Sequence, residues 1–390
     1  PNSSTFDSLT KGSEGRAVST TMAMTNLMRD LMRDENFGPR VVPIVPDEAR
    51  TFGMDSLFRE FGIYAPFGQL YEPVDHELLL SYSESTDGQL IEEGITECGS
   101  MSSFIAAGTS HANLGVPMVP FYTFYSMFGF QRVGDSIWSA ADSRARGFLL
   151  GATAGRTTLA GEGLQHQDGH SLLLATTVPA CQAFDPAFAY ELAAVIEDGL
   201  ARMYGNNDPA ENEDVFTYVT LYNEVYEMPP RPDHISNTDV VRGLYAWADA
   251  PDVADCRGQA TLIFSGSAHG AARAATAELA ERWGVAVDLW SATSYKRLRE
   301  EASAVERHNR LHPDSPAEMP LVTRLLADGE GPVVAVTDFQ KLVPGQVARW
   351  IPRPYHTLGT DGFGRSDTRE ALRRFFEVDV GHVVVAVLHA

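Results

Sequence analysis

Basic residues are scarce in this chain of 390 residues. Only 30 lysines and arginines stand against 52 aspartates and glutamates, which gives a formal net charge of −22 at pH 7. A protein that binds nucleic acid needs a broad basic face to neutralise phosphates, and this composition argues against one. We therefore expect no nucleic-acid partner.

Cysteines and long hydrophobic runs are also scarce. Cys98, Cys181 and Cys256 are far apart and form no Cys-x-x-Cys pair, so reduced thiols are expected rather than a disulfide framework or a zinc site. No apolar run reaches the roughly 18 residues of a membrane helix. No basic segment followed by an apolar one opens the chain, as a secretory signal would require. These observations predict a cytoplasmic protein that does not contact membranes.

Segments typical of buried strands alternate with segments typical of helices along the chain. Strands are predicted at 40–47, 117–125, 172–179, 214–222, 260–266, 285–290, 332–338 and 382–388, and helices at 17–36, 187–205 and 271–284. Such alternation predicts parallel sheets with crossover helices, which is an α/β fold.

Changes in composition predict two domains. Residues 1–14 are polar and glycine-rich, which is typical of a flexible lead-in. Residues 227–239 contain three prolines among polar residues and are predicted to be a linker. The two domains would then occupy 15–226 and 240–390.

The stretch between 121 and 171 is unusually rich in aromatics, glycines and histidines. It contains FYTFYSMFGFQRVGD at 121–135 and GRTTLAGEGLQHQDGHS at 155–171. Together with PDEARTFGMDSLF at 46–58 and EEGITE at 92–97, it resembles the homodimeric-type E1 component of pyruvate dehydrogenase, a thiamin-diphosphate-dependent member of the transketolase superfamily. The resemblance covers nearly the whole chain but only the middle and last domains of that family. It implies that 15–226 is a pyrimidine-binding transketolase-like domain and that 240–390 is a transketolase C-terminal-like domain.

Glu97 closes the GITE segment, which is similar to the Gly-Ile-x-Glu of the family. Without the resemblance, an exposed helix glutamate is the commoner interpretation. The resemblance implies the catalytic carboxylate that hydrogen-bonds N1′ of the aminopyrimidine of thiamin diphosphate.

The aromatic segment supplies three further candidates. Phe128 matches the family aromatic that stacks on the aminopyrimidine, and Tyr125 matches a tyrosine that reaches the substrate-derived group. Arg132 matches an arginine that would help to hold the carboxylate or the surrounding loops. Ordinary aromatic core is the alternative, and the density of the run places some of its rings in the core in either case.

His166 matches the active-site histidine of the family, and His170 follows four residues later. Two histidines at this spacing on a helix can bind zinc. The glycines around them favour a loop instead, and no third ligand is evident, so no metal site is predicted. An imidazole on a loop suits proton transfer near neutral pH.

Two more segments have both a functional and a structural interpretation. Asp47 and Glu48 follow a predicted strand, where α/β proteins place ligands, and the resemblance puts them near the cofactor; an N-terminal helix cap is equally compatible. GTDGFGRSDTRE at 359–370 could cradle a phosphate, but it lacks the ending of a P-loop. We interpret it as a turn and helix start, capped by Ser366 or Asp367.

The Gly-Asp-Gly…Asn signature that holds Mg²⁺ in the superfamily is missing from the sequence. The resemblance therefore implies a β-like half of a split enzyme, or part of a longer one, whose Mg²⁺ ligands come from a partner subunit in an α2β2 assembly that also self-associates. The implied reaction converts pyruvate or a similar 2-oxo acid to an enamine and passes the acyl unit to a lipoyl carrier protein or another carbonyl. The alternatives are a split carboligase of specialised metabolism and a non-catalytic partner subunit.

Overall fold

A computed structural model describes residues 1–2, 4–46, 49–74, 82–159, 161–206 and 208–390, the side chain of Pro209 excepted. The residues pack into two compact units. The first unit contains Pro1–Ala154, Thr177–Cys181 and Ile196–Pro230, and the second contains Gly155–Thr176, Gln182–Val195 and Arg231–Ala390. The chain thus passes between the units several times. The boundaries drawn from sequence at 226 and 240 remain a prediction.

The structure has short strands separated by helices. The strands are β1 (Ala17–Val18), β2 (Val41–Val45), β3 (Ile63–Tyr64), β4 (Glu84–Ser85), β5 (Ile91–Glu92), β6 (Val119–Tyr125), β7 (Gly147–Ala152), β8 (Cys181–Phe184), β9 (Phe216–Thr220), β10 (Tyr226–Glu227), β11 (Tyr245–Ala248), β12 (Gly258–Phe264), β13 (Val285–Ser291), β14 (Val333–Val336) and β15 (Tyr355–Leu358).

The α-helices are α1 (Ser4–Thr10), α2 (Thr20–Arg33), α3 (Asp55–Phe61), α4 (Glu97–Gly108), α5 (Ser110–Asn113), α6 (Gly129–Asp142), α7 (Ser171–Ala175), α8 (Ala189–Tyr204), α9 (Asn237–Val241), α10 (His269–Glu278), α11 (Tyr295–Leu311), α12 (Leu321–Leu326), α13 (Leu342–Gly345), α14 (Arg369–Phe375) and α15 (Val380–His389). Short 3-10 helices lie at Gly38–Arg40, Leu164–His166, Pro209–Glu211, Gly266–Ala268 and Ala348–Trp350, and a π-helical turn lies at Leu279–Trp283.

The sheet of the first unit contains β5, β2, β6, β7 and β9 in that order, with parallel neighbours. Nearly every residue of β6 is buried, as expected of a strand covered on both faces. Its Phe121 stacks on Phe148 of β7 with ring centroids 4.6 Å apart. Because β2, β5 and β6 are parallel, the loops that follow them start from the same edge of the sheet, where α/β proteins place their ligands.

The sheet of the second unit has the order β11, β13, β12, β14, β15. Its central pairs are parallel, and only β11 runs antiparallel to its neighbour β13. The carboxyl ends of β12, β14 and β15 therefore share one edge, at which Ser265, Thr337 and Gly359 begin the loops. The observed α/β architecture, with a parallel sheet in the first unit and a mixed, mainly parallel sheet in the second, confirms the predicted fold class.

Two predicted strands are wrong. Residues 172–179 instead contain α7, which begins where the Asp168 carboxylate accepts hydrogen bonds from the backbone N–H groups of His170 and Ser171, both at 2.9 Å. Residues 382–388 lie in α15, whose first turn is capped by Asp379. A short apolar run can form either a strand or a buried helix, and the β-branched residues of the second run favour a strand locally.

Other features refine the predictions made from sequence. The predicted helix 17–36 is α2, shortened at both ends and capped by the Ser19 hydroxyl, which accepts from the Met22 N–H at 3.1 Å. The predicted lead-in contains α1, whose Phe6 and Leu9 are buried. All three cysteines are thiols. Within the described residues, no helix combines the length and the apolar character that a membrane crossing requires.

Candidate active site

Glu97 is the first residue of α4, at the carboxyl edge of the first unit's sheet. The hydroxyl of Thr96 caps this helix by accepting a hydrogen bond from the Gly99 N–H at 3.2 Å, which satisfies one of the donors left unpaired at a helix start. A carboxylate in the first turn is also favoured by the helix dipole. The Glu97 side chain is 13% exposed, so it is partly buried but still reachable from solvent.

Arg132 connects the carboxylate to the aromatic segment. Its Nη1 donates to Glu97 Oε1 at 2.7 Å, and its guanidinium carbon lies 3.7 Å from the centroid of the Phe128 ring. The Arg132 side chain is 48% exposed. An ion pair of this exposure contributes about 0–1 kcal/mol and an exposed cation–π contact about 0.5–1 kcal/mol. Both contacts are therefore weak enough to be exchanged for contacts with a ligand.

Phe128 and Tyr125 are half-buried beside this pair. Their ring centroids are 5.9 Å apart in an edge-on arrangement, and Tyr125 packs in the same way on Phe52 at 5.1 Å. Phe128 immediately precedes α6. The neighbouring Gly129 lies so close to the Phe124 ring that a side chain there would collide with it.

The remaining aromatics of the segment form core, as the density of the run predicts. Phe121, Tyr122 and Phe124 are fully buried, and Phe130 is nearly so. Sequence analysis missed the place of Tyr122, whose hydroxyl lies 3.4 Å from the backbone carbonyl of Glu97. Burial, followed by the charge of Glu97, raises the pKa of Tyr122 above its ordinary value, so its phenol stays neutral beneath the start of α4.

Glu93 is another acid that follows a strand of this edge, since β5 ends at Glu92. The Glu93 carboxylate accepts a hydrogen bond from the Ser103 hydroxyl on α4. Asp47 and Glu48, both predicted to lie near the cofactor, are outside the described residues. The strand that they follow, β2, is paired with β5 and β6.

His166 belongs to the second unit and ends the short 3-10 helix at Leu164–His166, so it shares no α-helix with His170. Its Nδ1 lies 2.8 Å from the Glu162 carbonyl oxygen. Because a carbonyl only accepts, Nδ1 carries the hydrogen, and Nε2 is the acceptor nitrogen of the neutral ring. His170 directly precedes α7. Among the described residues, no three side chains of His, Cys, Asp or Glu are grouped as metal ligands would be.

A buried network in the second unit was missed by sequence analysis. Asp338 is 2% exposed, and its carboxylate accepts from the Thr157 N–H at 3.0 Å and from the Ser267 hydroxyl at 3.2 Å. Gly155, at φ +85°, lies against the same carboxylate with no room for a side chain. The sequence did contain a signal for Asp338, because it is an acid at the end of an apolar predicted strand. The same pattern pointed to Asp47 and Glu48.

Arg156 joins this network with a guanidinium that is almost fully buried. It donates through Nη1 to the Thr360 carbonyl oxygen. Burial lowers the pKa of Arg156, opposed by the charges of Asp168, Asp338 and Asp361. The segment 155–171 is thereby fastened to the carboxyl edge of the second unit's own sheet.

The glycine-rich segment 359–370 is a turn and helix start, as predicted, but its predicted cap is wrong. The cap of α14 is Thr368, whose hydroxyl accepts from the Ala371 N–H at 3.3 Å, rather than Ser366 or Asp367. The helix begins later than the sequence suggests.

Comparison with known proteins gives consistent matches. Residues 2–229 match the family described as pyruvate dehydrogenase E1 component middle domain, and residues 243–379 match the transketolase-like C-terminal domain family. Proteins named pyruvate dehydrogenase E1 component are 55% identical over 388 residues in Mycolicibacterium smegmatis, 54% over 390 in Mycobacterium tuberculosis and 45% over 376 in Escherichia coli K12. These matches cover 100%, 100% and 96% of this chain but only 41% of each relative.

Solved structures show the same fold. A transketolase from Leishmania mexicana aligns with a TM-score of 0.68 and 18% identity, over 99% of this chain and 47% of that one. A transketolase from Campylobacter jejuni aligns with a TM-score of 0.68 and 15% identity, over 99% and 49%. The chain spans about 41% of the length of the curated relatives that it matches. It belongs to the pyruvate dehydrogenase E1 family and contains that family's middle domain and its transketolase-like C-terminal domain.

Proposed function

We propose that this chain forms the aminopyrimidine side of a thiamin diphosphate site in an enzyme that decarboxylates pyruvate or a similar 2-oxo acid. The observation that carries the proposal is the pairing of a partly buried carboxylate, Glu97, with the half-buried ring of Phe128 through Arg132. An aminopyrimidine needs a carboxylate that hydrogen-bonds its N1′ and an aromatic ring on which it can stack. When bound, thiamin supplies the carbanion chemistry, and the protein supplies orientation and electrostatics.

The residues present fit the pyrimidine half of the cofactor and not its diphosphate half. The sequence has no Gly-Asp-Gly…Asn signature, and the described residues contain no group of metal ligands. The diphosphate and its Mg²⁺ are therefore bound by another polypeptide or domain, in an α2β2 assembly if that part is a separate subunit. The relatives support this division, since each is more than twice as long as the matched region.

Glu97 would share a proton with N1′ of the aminopyrimidine. Its place at the start of α4 stabilises the charged carboxylate, and Arg132 provides a counter-ion that can swing away because its side chain is half-exposed. Phe128 offers its ring for stacking, while Tyr125, braced by Phe52, presents its hydroxyl to the substrate.

His166 acts on the substrate as a proton donor and acceptor. The hydrogen bond from Nδ1–H to the Glu162 carbonyl leaves Nε2 to exchange a proton with the oxygen of the 2-oxo acid or of the acyl acceptor. The acyl acceptor is either the lipoyl arm of a carrier protein or another carbonyl compound. The assembly would work in the cytoplasm.

The test is reconstitution with a complementing polypeptide, defined as the part of the Mycolicibacterium smegmatis relative that lies outside its match to this chain. We expect the chain alone to bind thiamin diphosphate and Mg²⁺ weakly and to leave pyruvate unchanged. The mixture should decarboxylate pyruvate, and a mixture with a Glu97→Gln chain is the matched control. Turnover by the chain alone, or none by the mixture despite complex formation, would contradict the proposal.

A further inference from the structure

The segment 155–171, which carries His166, is held at several points within the second unit. Asp338 accepts from Thr157, and the Gln340 N–H donates to the Gly169 carbonyl at 2.9 Å. Arg369 Nε donates to the Thr158 carbonyl at 2.6 Å. These contacts fix both ends of the segment, but none of them touches the turn at His166.

Gln167 makes the contact at that turn. It is 2% exposed, its Nε2 donates to the Arg365 carbonyl at 2.8 Å, and its Oε1 accepts from the Arg365 N–H at 2.7 Å. One side-chain amide thus pairs with both backbone groups of a single residue, as a neighbouring strand would. An amide side chain can do so because it has a donor nitrogen and an acceptor oxygen on the same carbon.

Gly364 provides the space for this pairing. A Cβ at residue 364 would lie 2.7 Å from Gln167 Oε1 and 2.7 Å from the Leu164 carbonyl oxygen. Any side chain there would push the turn away. The glycine-rich segment 359–370 therefore acts as a seat for the turn at 164–167.

The seat is directly coupled to the histidine. His166 and Gln167 are adjacent, and the Gln167 N–H donates to the Leu164 carbonyl at 3.2 Å. On the other side, Glu162 accepts from the Nδ1–H of His166 at 2.8 Å. Movement of residue 167 would therefore rotate the imidazole away from the Glu162 carbonyl.

We propose that Gln167 is a positioning residue for His166, and that its amide, seated on Gly364 and Arg365, fixes the orientation and the tautomer of the imidazole. The inference rests on the proposed function in so far as His166 acts on the substrate. Displacement of a catalytic group by about 1 Å can cost about 100-fold in rate. The effect should appear in kcat rather than in KM, because the substrate-binding groups remain in place.

The experiment compares Gln167→Met and Gln167→Ala with a matched control, Gln165→Met. Gln165 lies in the same 3-10 helix but is exposed. Imidazole ¹⁵N spectra of the chain alone, assigned with His166→Gln, report the tautomer. We expect the control to keep the single Nδ1–H form of His166 and the Gln167 variants to show a mixture. With the complementing polypeptide, the Gln167 variants should lose about 10–100-fold in kcat with KM changed less than about threefold.

Three results would count against the inference or against the function on which it rests. Folded Gln167 variants that retain the wild-type tautomer and kcat would overturn the inference. So would failure of both variants to fold, because Gln167 would then be required by the fold and not by His166. If His166→Gln itself retained full activity, the proposed role of His166 would fail, while the spectra would still show whether Gln167 fixes the ring.

Discussion

The first unit contains a Glu97 cluster, made of Glu97, Arg132 and Phe128, and the second contains an Asp338 network, made of Asp338, Thr157 and Ser267. The two groups hold their carboxylates in opposite ways. Glu97 has a half-exposed counter-ion, Arg132, that also rests on an aromatic ring. Asp338 is buried and accepts from a backbone N–H and a buried hydroxyl. The first arrangement is weak and exchangeable, whereas the second cannot lose a partner without leaving buried polar groups unpaired.

The difference suggests a division of roles. A carboxylate that must bind a ligand needs contacts that can be replaced at little cost. A carboxylate that fastens a loop needs contacts that persist. We therefore expect substitutions in the Glu97 cluster to affect activity more than stability, and those in the Asp338 network to affect stability first.

The largest expected effect is on turnover, through the proposed role of Glu97. Glu97→Gln preserves the size of the side chain but cannot share a proton with N1′, so turnover by the reconstituted enzyme should fall ~10²–10⁴-fold. Unfolding of the chain, followed by circular dichroism, should be nearly unchanged. A large loss of stability would show that Glu97 belongs to the scaffold, like Asp338.

The next effect is on the stability of the second unit. Asp338→Ala leaves the Thr157 N–H and the Ser267 hydroxyl without their acceptor and removes a negative charge near Arg156. We expect a loss of about 3 kcal/mol. Hydrogen exchange measured by mass spectrometry should show reduced protection of the backbone amides in 155–171 and 333–338, and unchanged protection in the first unit. Protection unchanged in those segments would contradict the assigned role.

Acid should weaken the second unit through His269. Burial, assisted by Arg273 and Arg373, lowers the pKa of His269 to about 3. The unfolded chain therefore binds this proton more readily, so the contribution is complete above about pH 6.5 and is lost as pH falls towards 3. Between pH 6.5 and 4 we expect a loss of about 2–3 kcal/mol, read from hydrogen exchange. His269→Gln should flatten this profile, and an equally steep decline in that variant would contradict the assignment.

The smallest effect is expected for Arg132. Because its ion pair and ring contact are exposed, Arg132→Ala should change the free energy of unfolding by less than about 1 kcal/mol. Denaturant unfolding of the wild type, this variant and Asp338→Ala, side by side, measures the contrast directly. A loss for Arg132→Ala that matched the loss for Asp338→Ala would remove the distinction between the two clusters.

The residues of the Glu97 cluster could be predicted from the sequence, whereas those of the Asp338 network could not. The residues at Glu97 and Phe128 lie in local segments that resemble a family, so they could be named, although contact between Glu97 and Arg132 spans 35 positions. Asp338 binds Thr157 across 181 positions and Ser267 across 71, and no local pattern carries such pairings. The same limit explains α15, where a run of valines favours a strand locally while burial of Val383, Val384 and Val387 selects a helix.

The most direct measurement is the rate at which the C2 proton of thiamin diphosphate exchanges with deuterium in the complex of this chain with the complementing polypeptide. If Glu97 is the activating carboxylate, Glu97→Gln should slow this exchange ~10²–10⁴-fold, while Glu93→Gln should leave it nearly unchanged and His166→Ala should preserve it. Exchange at the wild-type rate in Glu97→Gln would show that another acid, with Glu93 and Glu48 as the first candidates, performs this role.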